Sequence, residues 1–323
     1  MDKLSPYYAY YIRGVIESQS NSIAKIRIAA ESLEEALQFK LTQEAYNALL
    51  VCYIKLDDEE QYESTLLDAA ENFPYFYASC GIFYANSSKK FNKEKSLSWF
   101  EKGLETKEPK AFSDLANEYF KGCKAFSRDL TKAEEILNKG LELNDPKWNG
   151  YFNYALGLIM NEKKEYASAA DFFRKAQELG YEQSSYNLAL LYRDGLGVKK
   201  NYEEYILNLL RNLNANSALE IGRLYLDGKY AVTDKGISLI YFDFAAKSGN
   251  AEGALMSAAL LIDKGKPDEN LLYKYLNIAL NNKAIKQNIN EHYEKIERAL
   301  GCEVARELKE RIAKTGLISN NKA

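Results

Sequence analysis

Bulky and small residues recur along the chain with a period near 35, and a period of that length predicts stacked helix pairs. A small residue returns at Ala36, Ala69, Gly103, Gly140, Ala176, Leu213, Ala245 and Ala279, with Leu213 the one large member. Three residues before each lies a large apolar one: Leu33, Leu66, Phe100, Leu137, Phe173, Leu210, Phe242 or Leu276. A bulky–small pair at i, i+3 is what one helix face needs to nest against a neighbour. A second column runs through Tyr53, Tyr84, Tyr119, Leu158, Tyr192, Tyr225 and Leu261. Leu50, Gly81, Ala116, Ala155, Ala189, Gly222 and Ala258 each stand three residues earlier. Two columns in step predict an all-α fold, a right-handed α-α superhelical solenoid of about seven to eight helix-pair repeats.

Boundary signals divide the chain within one solenoid domain. Residues 1–41 read as an N-terminal capping helix pair, opened by Ser5-Pro6, a good N-cap and first-turn pair. Residues 42–285 carry the repeats, with Thr42 a helix N-cap. Pro74, Pro109 and Pro146 fall where helices should stop. The acidic run Asp57-Asp58-Glu59-Glu60 suits a helix start, where the macrodipole favours negative charge. Tyr293, Ile296, Leu300, Val304, Leu308 and Ile312 form one stripe, predicting a single C-terminal capping helix over 286–314. Residues 315–323 are polar and expected to fray.

Several segments carry a family resemblance. Asp129-Leu130-Thr131-Lys132-Ala133, continuing to Ile136-Leu137 and Gly140, resembles the Sel1-like repeat, a branch of the tetratricopeptide superfamily. Its pattern there is Asp-x-x-Lys-Ala-x-x-Trp-Tyr-x-x-Ala. Asn92-x-x-Lys95-Ser96-x-x-Trp99-Phe100 is similar, as is the ending Tyr241-Phe242 to Ala245-Ala246 and Gly249. Tyr192-Arg193-Asp194-Gly195-Leu196-Gly197-Val198 resembles the family's glycine turn, and Tyr225 to Gly228 is a partial copy. The resemblance covers about residues 40–285, while 45–74 and 150–183 lack the glycine turn and read as plain tetratricopeptide units. It implies a fold and no activity, because the shared positions are packing and turn positions. It also implies the roles such bacterial proteins often have, as adaptors or as antagonists of a toxin or effector.

Composition narrows the chemistry. With 43 basic and 46 acidic residues and a net charge of −3, a phosphate-binding surface is not the main feature. No apolar run approaches the roughly 18 residues of a membrane span. The first residues do not read as a secretion signal. A cytoplasmic protein with reduced Cys52, Cys80, Cys123 and Cys302 is expected, a Cys52–Cys80 bridge being the one alternative. The 25 tyrosines suit a protein in which few residues are sealed on every side. His292 is the only histidine and has no ligand cluster in sequence. Gly195 to Lys200 superficially resembles a phosphate loop, but glycine at positive φ after a helix accounts for it. No cofactor, metal or catalytic set is expected.

In solenoids of this class the first helices line the inner wall. Residues one after, two before and six before the recurring aromatic should project there, selecting Ser113, Asn117 and Phe120; Phe152, Leu156 and Ile159; Tyr186, Leu190 and Arg193; and Leu219, Arg223 and Leu226. Apolar side chains with a few polar anchors characterise binding surfaces. Asn117, Phe120, Phe152, Leu156, Tyr186, Leu190, Arg193 and Arg223 are therefore the expected partner-binding residues, unless the winding is tight enough to pack them internally. The expected function is a non-catalytic scaffold or adaptor that holds another protein or peptide, with an immunity or effector-antagonist role as one form. The competing readings are a peptide-sensing regulator, for which the first 40 residues lack a basic recognition helix, and an enzyme on a helical solenoid.

Overall fold

A computed structural model describes residues 5–228, 232–265 and 267–315. The described residues form nineteen α-helices and no strand. They divide into two compact units, 1–163 and 164–323. Unit 1 contains α1 (Pro6–Ser18), α2 (Ile23–Phe39), α3 (Gln43–Leu56), α4 (Glu59–Asn72), α5 (Tyr77–Asn86), α6 (Lys93–Glu105), α7 (Pro109–Lys121), α8 (Leu130–Leu141) and α9 (Asn149–Glu162). Unit 2 contains α10 (Tyr166–Glu178), α11 (Ser184–Asp194), α12 (Tyr202–Arg211), α13 (Ala215–Asp227), α14 (Lys235–Lys247), α15 (Ala251–Asp263), α16 (Glu269–Asn281), α17 (Lys283–Gln287), α18 (Ile289–Leu300) and α19 (Cys302–Lys314). Within each unit a helix packs on its successor and first helices also meet one another, as α5 meets α7 and α13 meets α15.

One hydrogen bond sets the repeat. The backbone N–H opening each of five second helices donates to the carbonyl of the recurring tyrosine. Asp58 donates to Tyr53 (3.1 Å), Asn92 to Tyr84 (2.9 Å), Asp129 to Tyr119 (2.8 Å), Asn201 to Tyr192 (3.1 Å) and Asp234 to Tyr225 (2.9 Å). The side chain of each donor then caps its helix, accepting from an N–H two or three residues on. A carbonyl orphaned at one helix end and an amide orphaned at the next thus satisfy each other. Eight residues after the cap comes a sealed bulky side chain: Leu66, Phe100, Leu137, Phe173, Leu209, Phe242 or Leu276. Opposite two of them a first helix carries glycine. A Cβ on Gly81 would stand 2.6 Å from the Phe100 ring, and one on Gly222 equally close to Phe242.

This cap register corrects the sequence columns twice. In α12 the sealed residue is Leu209, at 0 %, whereas Leu210 is 48 % exposed and Leu213 lies beyond the helix. The position three after Leu209 is the C-cap residue Asn212, so the i, i+3 pattern slipped by one residue and lost its small member. In α9 the buried pair is Gly157 and Met160 instead of Ala155 and Leu158. The longer α8–α9 connection lets Phe152 pack on Gly140, the place Ala111 takes on Gly103.

Other signals fare variously. Thr42 caps α3, but Ser5 makes no side-chain cap although Pro6 opens α1. Asp58 caps α4, with Glu59 and Glu60 in its first turn. Pro109 begins α7 and Pro74 begins a 3-10 turn (Pro74–Phe76), so these prolines start elements. The C-terminal stripe forms two helices, because Gly301 at φ +98° breaks it between Leu300 and Val304. Cys52 and Cys80 are free and buried in separate apolar clusters. The tail expected to fray lies outside the described residues apart from Thr315.

Two pairs of substitutions test this packing by chemical unfolding followed by circular dichroism. Leu209→Ala should cost about 2–5 kcal/mol and Leu210→Ala within about 0.5 kcal/mol. Gly197 sits at φ +67°, and a Cβ there would meet the Tyr166 carbonyl carbon at 2.2 Å. Gly180 is also left-handed (φ +80°) but has open space around it. Gly197→Ala should therefore cost about 3 kcal/mol and Gly180→Ala about 1 kcal/mol.

Candidate functional site

The first-helix faces of the two units differ in chemistry. In unit 1 the residues two before and one after the buried aromatic position are largely apolar, open on α3 and half-buried or sealed on the helices after it. Val51 and Ile54 on α3 are 45 % and 63 % exposed. Ile82 on α5 lines a cleft with Tyr53, Ile54 and Phe83. Between α7 and α9 lies an apolar cleft enclosing about 140 Å³, walled by Asn117, Phe120, Tyr151, Tyr154, Leu158 and Ile159, with Lys121 at its edge. The predicted Asn117 and Phe120 are thus placed together on this wall. Arg128 stands over the Phe120 ring at 5.9 Å and pairs with Glu162 at 2.6 Å.

Phe152 and Leu156 do not join them. Both are completely buried, at 0 %. The two-residue slip in α9 explains this: counted from Met160, the outward positions are Leu158 and Tyr154, and Phe152 and Leu156 turn into the core. The sequence reading missed Tyr151, Tyr154 and Leu158, which would have followed from measuring back from the Gly140 contact.

In unit 2 the equivalent face carries charge. Arg193 on α11 grips Asp194 with two 2.9 Å bonds and reaches Glu220 on α13 at 3.1 Å. Arg223 donates to Glu220 (2.6 Å) and to Glu252 on α15 (2.6 Å). Tyr205 donates to the same Glu220 at 2.7 Å, and His292 Nδ1 on α18 lies 3.9 Å from Glu252. The result is an alternating ladder, Arg193–Glu220–Arg223–Glu252–His292, with half-buried Tyr186 beside it. The bond to Asp194 raises the Arg193 pKa and lowers that of Asp194. Burial lowers the His292 pKa, with Glu252 opposing. Glu220 is nearly sealed from water, and its three bonds offset the cost of burying its charge. The predicted anchors Arg193 and Arg223 are therefore engaged within the chain, while Leu190 stays half-buried on α11. The last first-helix, α15, has Leu255, Ala259 and Ile262 sealed in one cluster with Ile296 of α18 and Val304, Leu308 and Ile312 of α19.

Among the described residues no cluster of three or more His, Cys, Asp or Glu side chains could hold a metal ion. No described helix is long and apolar enough to cross a membrane.

No family model matches the chain. Solved structures resemble it, two of them with a TM-score above 0.5. A Sel1 repeat protein from Oxalobacter formigenes aligns over 80 % of this chain and 98 % of its own, with TM-score 0.56 and 19 % identity. A protective antigen present in uropathogenic Escherichia coli strains, displaying an SLR fold, aligns over 96 % of this chain and 69 % of its own, with TM-score 0.51 and 20 % identity. An immunity protein from Pseudomonas aeruginosa matches 64 % of this chain and 81 % of its own at TM-score 0.43 and 21 % identity, a likeness too loose to bear on fold or role. The repeat register, the capped turns and the first two alignments together give one conclusion: the chain has the Sel1-like repeat fold, an all-α solenoid of helix pairs.

Proposed function

We propose that the protein is a non-catalytic scaffold that holds a partner protein against the first-helix face of unit 1. The α7–α9 cleft carries this reading. Half-buried Phe120, Tyr154 and Leu158 line it beside Asn117 and Lys121, neither of whose side chains has a hydrogen-bond or ion-pair partner among the described residues. An apolar depression with the unpaired side chains of Asn117 and Lys121 at its rim suits a site completed by another molecule. Repeat solenoids also carry extended binding surfaces as their common mode of action. A peptide-sensing or enzymatic role has no comparable support.

Tyr186, Leu190, Arg193 and Arg223 contribute less in this reading. Either arginine could reach a partner only by giving up Glu220, which would then be buried with fewer bonds. Neutralising a toxin or effector is the narrower form of the same role, in which the held partner is an enzyme. Rescue of growth on co-expression with a candidate toxin distinguishes it from a general adaptor.

Two variants test the division of labour. Leu158→Glu should lower partner capture about tenfold or more, in pull-downs scored by mass spectrometry, with the helical signal unchanged. Arg223→Ala should leave capture intact but cost about 2 kcal/mol of unfolding free energy, because Glu220 and Glu252 lose their shared cation. The reverse pattern would move the site to unit 2.

A further inference from the structure

We infer that the occupant of the unit 1 face is an amphipathic α-helix of the partner. It would seat one aromatic or branched aliphatic side chain in the α7–α9 cleft and set a carboxylate against Lys121. The inference rests on the scaffold reading above and adds the chemical class of what is held.

Size comes first. A cleft of about 140 Å³ is close to the cavity volume, about 150 Å³, that accommodates benzene. It therefore suits one side chain such as Phe or Leu. Charge comes second. Lys121 is the only charged residue lining the cleft, and no carboxylate lines it. Of the neighbouring charges, Arg128 pairs with Glu162, and Glu118, which does not line the cleft, is buried and accepts from Asn86 at 3.0 Å. The free ammonium at the rim thus asks for an acid next to the apolar anchor.

Backbone chemistry selects a helix over an extended peptide. Extended ligands gain much of their affinity from main-chain hydrogen bonds. The first helices bond their own backbones internally, and Asn117 supplies a single side-chain amide. A helix satisfies its own backbone and asks only for an apolar face. The chain itself contains an instance. On α15 the positions equivalent to Val51 and Ile54 of α3 are Ala259 and Ile262, and both are sealed together with residues of the amphipathic helices α18 and α19. The apolar stripe of α18, Ile289, Tyr293, Ile296 and Leu300, has i, i+4, i+7, i+11 spacing.

Fluorescence anisotropy with the full chain tests this. The probe is a labelled, side-chain-stapled peptide of about sixteen residues. It carries Leu at i, i+4 and i+11, Phe at i+7 and Glu beside the Phe. One control replaces two residues by proline to abolish the helix, and another replaces Glu by Lys. The helical Glu probe should bind at least about tenfold more tightly than either control. Leu158→Glu should abolish that binding, and Lys121→Glu should invert the preference between the Glu and Lys probes, with circular dichroism unchanged in both variants. Equal binding of the helical and proline probes, both lost in Leu158→Glu, would overturn the helix while leaving the unit 1 surface standing. Binding untouched by Leu158→Glu would remove the surface itself. Absence of binding by the helical probe at about 1 mM would also overturn the inference.

Discussion

The fold hangs on a carbonyl and an amide that meet across a turn. A tyrosine near the end of a first helix offers a C=O that its own helix cannot use, and the N-cap residue of the following helix offers an N–H. Their bond fixes where the second helix begins. Helical geometry then fixes which residue lies eight positions on, and in the five repeats with this bond that residue, Leu66, Phe100, Leu137, Leu209 or Phe242, is sealed. The loop between may be short, as at Asp57, or may run through a glycine turn, as at Gly195 to Lys200, without disturbing the register.

The tyrosines do more than fill space. Beyond the backbone bond, several phenols tie neighbouring helices by donating to carboxylates: Tyr46 to Asp68, Tyr53 to Glu34, Tyr84 to Glu63, Tyr205 to Glu220 and Tyr275 to Asp243. Burial, and then the nearby carboxylate, raises the pKa of these phenols, so they remain donors at any ordinary pH. An amphipathic ring with its hydroxyl fixed by an acid packs helices whose edges stay near water.

The same structural positions serve different ends in the two units. On α3 they expose Val51 and Ile54, and on α7 and α9 they set half-buried Phe120 and Leu158 in the cleft. On α11 and α13 they hold Arg193 and Arg223 inside a ladder of ion pairs, and on α15 they are buried. A charge ladder of this kind resists competition from outside, since each carboxylate removed from it leaves a partly buried cation short of a partner. An apolar wall with an unmatched lysine has no such resistance. The asymmetry is the reason unit 1 is proposed as the partner's face.

Periodicity was enough to determine helices, their pairing and the solenoid class, because bulky and small residues must interlock wherever two helices cross. Most column positions were legible for the same reason, including Phe100, Leu137, Phe173 and Phe242, all sealed. The slips at α9 and α12 arose where a loop changed length or an asparagine stood in the small position, since a column of letters does not record which carbonyl caps which helix. Asn117 and Phe120 were legible as wall residues, whereas the burial of Phe152 and Leu156 was decided only in three dimensions. So was the engagement of Arg193 and Arg223: charge is written in the sequence, but whether it is free depends on which carboxylate the fold brings within 3 Å or so of it.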